Sequence, residues 1–303
     1  MFLNDLRRKQ PHARRIGLTG TPMPHSPMDL YGQMRFLDTS VFGTSFVRFR
    51  SRYAVMGGFE RRQVIGYQNE NEMMSRFKSA ALVMQEKDLI DLPGEVDSIL
   101  DVELEPGAAK VYSDVQNDFY AQVERGEITV SNALVKLLRL QQITTGVLAL
   151  DSGEKEQIST AKYQVLADIL ADTSGKVVVF GRFSHDLDVA ALATAHAQLR
   201  YGEVSGSRKD LDQGRFPEDV DVLGVQIQAG GVGIDLSRAS LGVFLSTGFS
   251  LGDYLQARAR LHRPGQKNRV TFLHILARNT IDERVYKMLL RREATIASLL
   301  KRS

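Results

Sequence analysis

From about residue 159 to the C-terminus, short β-branched runs alternate with helix-length amphipathic segments, and this alternation constrains the fold more than any other feature of the sequence. Strands joined through helices pair in parallel, so the pattern predicts an α/β fold, a parallel sheet wrapped by helices. Ser159 or Thr160 caps a helix with the apolar stripe Tyr163, Leu166, Ile169 and Leu170, and Gly175 then introduces the strand KVVVF. Ser184 caps a second helix with Leu187, Ala191, Leu192 and Ala195 on one face. LRYGEV, DVDVLGVQI, LGVFLS and RVTFLHIL read as further strands. Thr280 and Glu283 have the spacing of a capping box, opening a last helix with Ile281, Val285, Met288, Leu289, Ile296 and Leu300 in its stripe.

Residues 46–150 read differently, as a mostly helical insertion: NENEMMSRFKSAALVM, EPGAAKVYSDVQNDFYAQV and VSNALVKLLRLQQI all have helical periodicity. VMGGFERRQVIGY suits either a small hairpin around Gly57 and Gly58 or a surface loop. The aromatic phrase SFVRFRSRY, with Phe46, Phe49 and Tyr53 among arginines, suits a base-stacking surface or, more commonly for such spacing, a core face. The polar stretch ALDSGEKEQIST is the best interdomain joint. The expected division is therefore 1–45, 46–150 and 151–303.

Composition removes several function classes. Without cysteine there is no disulfide, thiolate zinc site, iron–sulfur cluster or cysteine nucleophile, and no pair among the six histidines has the i, i+4 spacing of a helical metal site. No metal site is expected. No apolar run approaches the roughly 20 residues that a bilayer requires, so no membrane partner is expected, and the absence of cysteine fits a reducing cytoplasm, that of a bacterial or virus-infected cell. The net charge of +3 says little, but its distribution says more. Arg7, Arg8, Lys9, Arg14 and Arg15 form one basic group, Arg258, Arg260, Arg263, Lys267 and Arg269 a second, and Lys287, Arg291, Arg292, Lys301 and Arg302 a third. Such groups suit a polyanion, or simply solvated helix faces.

Two segments carry chemistry. VQIQAGGVGIDL places Gly230, Gly231 and Gly233 directly after a strand, where backbone N–H groups approach a phosphate or ribose closely. In DYLQARARLHRPGQ, Arg260 and Arg263 lie three apart, on one side of a helical turn that Pro264 and Gly265 stop. Two guanidiniums fixed together suit a polyphosphate, although an ordinary helix end also favours arginines in its last turn.

Together these segments resemble motifs V and VI of superfamily-two helicases of the Swi/Snf type, in the family's order and spacing. KVVVFGRFSHDLDV resembles motif IV, and RIGLTGTPMPHSPMDLYGQMRFL resembles motif III with its downstream helix. YGEVSGS with RKDLDQGRF is similar to the strand, phosphate-contacting turn and helix that follow motif IV. KDLIDLP is similar to the junction into the family's second lobe. The resemblance implies a RecA-like parallel sheet of the P-loop NTPase type, the C-terminal lobe of a motor whose two lobes clamp ATP while DNA crosses both. Residues 1–45 are then the remnant of the first lobe, with apolar surface exposed unless another chain covers it.

By position, the resemblance makes Arg260 and Arg263 arginine fingers and Gln256 the opening residue of their motif, while Gly231, Gly233 and Asp235 line the ATP ribose. Thr19, Gly20 and Thr21 would couple nucleotide state to movement, and Arg182, Ser205, Gly206, Ser207 and Gln228 would contact the nucleic-acid backbone. The implied cofactor is ATP with Mg²⁺, held mainly by a first lobe, which becomes a partner along with double-stranded DNA. Neither the GxxxxGK[ST] phosphate loop nor the DExH box occurs in these residues, so the chain by itself is expected not to hydrolyse ATP. Ala259 and Asp235 depart from the family's acidic residue and asparagine. The alternative is a non-enzymatic nucleic-acid-binding or regulatory module derived from a helicase.

Overall fold

A computed structural model describes residues 2–58, 63–84, 92–125, 129–149, 155–229 and 233–301. Contacts divide the chain into two compact units. Unit 1 comprises residues 1–89, 250–252 and 289–303, and unit 2 comprises 90–249 and 253–288. Residues 46–89 thus group with 1–45, and 90–150 group with the sheet.

Unit 1 begins with α1 (Phe2–Lys9), α2 (Asp29–Leu37), α3 (Thr39–Phe42) and α4 (Phe46–Tyr53). An antiparallel hairpin of β1 (Ala54–Gly57) and β2 (Gln63–Tyr67) follows, then α5 (Glu70–Lys78). The hairpin reading of VMGGFERRQVIGY holds at its strands, while the tip, 59–62, lies outside the described residues. Phe49 and Tyr53 are buried with Leu30, Met34, Met73 and Phe77, so the aromatic phrase serves the core and only Phe46, 41% exposed, stands at its edge. Residues 14–20 adopt no regular structure, and there Ile16 and Leu18 are 85% and 94% exposed.

Unit 2 contains β3 (Glu95–Val102), α6 (Pro106–Glu124), α7 (Val130–Thr144) and the short antiparallel pair β4 (Val147–Ala149) and β5 (Lys155–Gln157). The pair flanks the stretch expected to be a joint, whose residues 150–154 lie outside the described ones. Next come α8 (Ala161–Asp172), β6 (Val177–Gly181), α9 (Ser184–His196), β7 (Tyr201–Val204), β8 (Val222–Gln226), β9 (Leu241–Phe244), α10 (Leu251–Leu261), β10 (Val270–Ala277) and α11 (Ile281–Lys301), of which residues 251–252 of α10 and 289–301 of α11 belong to unit 1. Six strands form one all-parallel sheet in the order β3-β10-β9-β6-β8-β7. Each strand expected from 159 onward is present. Central β6 is buried at every position, as a strand covered on both faces must be.

Four local expectations need correcting. α9 buries Leu187, Ala190, Ala193 and Thr194, while Leu192 is 59% exposed. In an alanine-rich segment the stripe is poorly marked, and tertiary packing chooses the face. Its cap is also not Ser184, because the Asp186 carboxylate accepts the Phe183 N–H at 2.8 Å. At α11, Asp282 N–H donates to Thr280 Oγ1 at 3.3 Å, but Glu283 reaches back to Asn279 N at 2.9 Å, one residue beyond the box geometry. Finally, no helix follows β7. The crossover to β8 is a loop pinned by isolated bridges, Val204 to Lys209 and Asp212 to Arg215.

A candidate nucleotide and nucleic-acid face

Unit 2 carries the motif residues in two separate groups. The first lies where strands end. Because the sheet is parallel, the residues after β6, β7 and β8 share its C-terminal edge, and these are Arg182, Ser205–Ser207 and Gln228. Gly206, Ser207 and Gln228 are exposed and Ser205 is half-buried. Ser205 Oγ accepts the N–H groups of Ser207 and Arg208 at 3.3 and 3.2 Å, which closes a tight turn with Gly206 at its open tip. Small donors presented this way can follow a phosphate backbone without reading bases.

Arg182 has internal partners. Its Nη1 donates to Gln141 Oε1 at 2.7 Å, and its guanidinium lies 5.5 and 5.4 Å from the ring centres of Phe183 and Phe249. Burial pulls its pKa below the usual arginine range. Its backbone N–H donates to Ser246 Oγ at 2.8 Å, and that hydroxyl donates to the wholly buried Asp186 at 2.5 Å. Beside it, Lys162 Nζ donates to Asp282 at 2.7 Å and to Leu245 O at 2.6 Å, while Thr144 Oγ1 donates to the other Asp282 oxygen at 2.9 Å. Sequence reading missed this buried network. Its signal is the run QQITT, polar residues at helix positions that the structure buries.

The second group lies where α10 ends. Starting after β9, α10 returns toward the start of β10 and delivers Arg260 and Arg263 beside the loop that follows β8. Leu236 N donates to Arg260 O at 3.0 Å, and Arg263 Nη1 donates to Ile234 O at 2.9 Å, so motif V and motif VI segments are held together. Gly233 has φ +102° and nothing within 4 Å of where a Cβ would stand, a conformation open to glycine and open space beside it. Gly230 and Gly231 lie outside the described residues.

Asp235 Oδ1 accepts both the N–H and the hydroxyl of Ser237, at 3.0 and 2.7 Å. Burial would raise the Asp235 pKa, but the Ser237 hydrogen bonds and the charges of Arg263 and Arg215 outweigh it and hold the carboxylate low. Arg260 is shifted down by burial and by the neighbouring Arg263 charge. Arg263 Nε is buried and has no hydrogen-bond partner among the described residues. Such a donor is costly to leave unmade. Gln256 and Ala259 are exposed on α10.

Arg258 departs from the basic group read from sequence. It is buried, its two Nη atoms donate to Asp97 at 2.6 and 2.9 Å, Glu95 lies 3.0 Å away, and its guanidinium is 4.4 Å from the Phe272 ring centre. It ties edge strand β3 to α10. Burial opposes the ionised Asp97, but hydrogen bonds from His274 and Arg258 more than offset this and bring its pKa to about 2. In unit 1, Thr19 and Gly20 are exposed, Thr21 is half-buried, and Thr21 N donates to Thr19 Oγ1 at 3.1 Å.

A six-stranded parallel sheet with an arginine pair packed on a glycine-bearing loop defines a RecA-like lobe of the superfamily-two helicase type. Comparison with known proteins agrees. Residues 5–147 match the SNF2-related domain and residues 161–265 match the helicase conserved C-terminal domain. The chain belongs to the Swi/Snf family of ATP-dependent helicase-type domains.

Among its relatives, the CHD3-type chromatin-remodeling factor PICKLE of Arabidopsis thaliana is 25% identical over 90% of this chain and 21% of its own length. Putative protein p41 of Acyrthosiphon pisum secondary endosymbiont phage 1 is 27% identical over 89% of this chain and 60% of its own. The chain thus spans between about a fifth and three-fifths of these two relatives. The SWI2/SNF2 ATPase core domain of Sulfolobus solfataricus shares the fold, with TM-score 0.52 and 22% identity over 94% of this chain and 60% of that one. A second structure of that core, in complex with dsDNA, gives TM-score 0.52 at 19% identity over 88% of this chain and 58% of that one.

Among the described residues no helix is long and apolar enough to cross a membrane, and no group of three or more His, Asp or Glu is placed to hold a metal ion.

Proposed function

We propose that this chain supplies the second-lobe half of an ATP-driven DNA translocase: arginines that complete an ATP site offered by a first RecA-like lobe, and a strand-end surface that holds the DNA backbone. The observation that carries this reading is the attachment of Arg260, through its backbone carbonyl, and of Arg263, through its guanidinium, to the Gly233–Leu236 segment, with the Arg263 Nε buried and unpartnered among the described residues. That donor set fits a polyphosphate. ATP is the substrate here, and bound Mg²⁺ would neutralise phosphate charge; no described group of three carboxylates or histidines offers it a cradle, so this chain's part is cationic.

Arg260 and Arg263 stabilise charge as it develops on the transferred phosphoryl group, a contribution worth about 10³- to 10⁵-fold in nucleotide hydrolases. Burial favours Arg260 for this work, since a partly desolvated guanidinium interacts more strongly with an anion than a solvated one. Asp235 accepts from the ribose, and Gln256 offers an amide on the same helix. Thr19, Gly20 and Thr21 belong to a first-lobe remnant, 1–45, whose exposed Ile16 and Leu18 await coverage by the rest of that lobe. Ser205, Gly206, Ser207 and Gln228 follow duplex DNA, a track the dsDNA complex of the Sulfolobus relative supports, with Arg182 setting the adjacent surface.

The test is to add a separately expressed first lobe and measure DNA-stimulated ATP hydrolysis. The chain alone is expected to be inactive, the pair active, and Arg260→Ala or Arg263→Ala to lower the rate by about 10³-fold or more. Unchanged rates in both variants would refute the finger assignment.

A further inference from the structure

The loop that replaces a helix between β7 and β8 is built with unusual care around one arginine. Asp212 and Arg215 exchange backbone hydrogen bonds at 2.9 and 2.8 Å across Gln213 (φ +49°) and Gly214 (φ +83°), a two-residue turn with both central residues left-handed. Gln213 adopts this conformation at a cost that glycine would not incur. The turn is then fastened to the nucleotide group: Asp235 N donates to Gly214 O at 2.8 Å and Phe216 N to Asp235 O at 3.0 Å. Arg238 secures its far side through Phe216 O at 2.7 Å and Glu218 at 3.0 Å.

What this frame presents is the Arg215 side chain, 65% exposed, with Nε 4.0 Å from Asp235 Oδ2. That separation is the outer limit of an ion pair and beyond hydrogen-bonding range, and exposed pairs of this kind contribute little to stability. Folding therefore gains almost nothing from the guanidinium. Yet the backbone holds it beside the carboxylate that Arg263 also faces, and the Gly214 next to it lies against the backbone carbonyl of Gly233. A weakly engaged cation on a rigid base can change partners at low cost.

We propose that Arg215 is a third phosphate-binding cation of this face, loosely paired with Asp235 in the chain alone and turning to the triphosphate when a nucleotide binds. The inference rests on the reading of Arg260, Arg263 and Asp235 as a nucleotide-completing group and extends it to a residue outside the motifs. Phosphate chemistry has a second source in DNA, and the strand-end group, not Arg215, serves that.

The experiment titrates the full chain with fluorescent N-methylanthraniloyl derivatives of ATP and AMP and with a short DNA duplex. Arg215→Ala is expected to weaken ATP binding about tenfold and to reduce its salt dependence, with AMP and DNA changed less than twofold and Tm unchanged; Arg215→Lys should restore most of the ATP affinity. Unchanged ATP binding in Arg215→Ala, while Arg260→Ala/Arg263→Ala weakens it, overturns the proposal and leaves the nucleotide face standing. Equal losses for ATP and AMP, or a fall in Tm, overturn it in favour of a structural turn, and a loss confined to DNA overturns it in favour of a backbone contact. If the Arg260→Ala/Arg263→Ala chain and the unaltered chain both fail to prefer ATP over AMP, the nucleotide face falls and Arg215 with it.

Discussion

In β6, Val177–Gly181 is buried at every position and paired with β8 on one side and β9 on the other. Residues 14–20 also carry apolar side chains at alternate positions, yet Ile16 and Leu18 are exposed and no backbone group of the segment joins a ladder among the described residues. The composition of the two segments does not explain the difference. A strand is a property of a pair, and β6 has neighbours that residues 14–20 lack within unit 1.

Hydrogen exchange should show the contrast at its largest. Amides of Val177–Phe180 are expected to exchange only through global unfolding, about 5–15 kcal/mol uphill, while those of residues 15–20 exchange at close to the unprotected rate. Adding a first lobe should slow Ile16 and Leu18 specifically. Fast exchange in β6, or no change at Ile16 with the lobe bound, would break the comparison.

Next in size is the buried ion pair beside the sheet. Lys162→Met leaves Asp282 buried without its cation and should destabilise unit 2 by about 3–5 kcal/mol in urea unfolding. The double variant Lys162→Met/Asp282→Leu should recover much of that. A loss below about 1 kcal/mol in the single variant would mean that water reaches the site.

A smaller effect follows from Asp97. Its folded pKa, about 2, lies below the unfolded value, so its contribution is fully present above about pH 4 and is lost as pH falls through about 2. With 34% of the side chain exposed, we expect about 1–2 kcal/mol, after allowance for screening by water. Asp97→Asn should flatten the stability profile between pH 4 and 2, and a profile as steep as before would assign the acid sensitivity elsewhere.

The smallest effect belongs to the exposed segment. Leu18→Ala should change stability by no more than about 0.5 kcal/mol, against about 2 kcal/mol or more for truncating a buried β6 position such as Phe180→Ala. Parity between the two would show that Leu18 is covered in solution.

Much of unit 2 was legible beforehand. KVVVF, LGVFLS and RVTFLHIL are strands because dense β-branched runs have few other uses in water, and the glycine and arginine motifs kept their order. The errors have physical causes. The face of α9 could not be read because alanine fits inside or outside equally well. Arg258 looked like its neighbours Arg260 and Arg263, since two positions along a helix turn a side chain to another face. Arg182 matched a motif position, but nothing local announced that Gln141 would meet it. Arg215 had no signal apart from the neighbouring glycine, because the role proposed for it depends on Asp235, twenty residues along the chain.

By itself, then, the sequence determined the parallel α/β class and the family, and it singled out the residues proposed to meet a polyphosphate, because periodicity, turn chemistry and motif spacing are local quantities. Tertiary structure alone decided which arginine works inward and which outward, that the β7–β8 crossover is a pinned loop, and that strand-end and helix-end groups stand apart. Burial and pairing depend on partners distant in the chain, and no local pattern encodes the charge or ring that a side chain will meet.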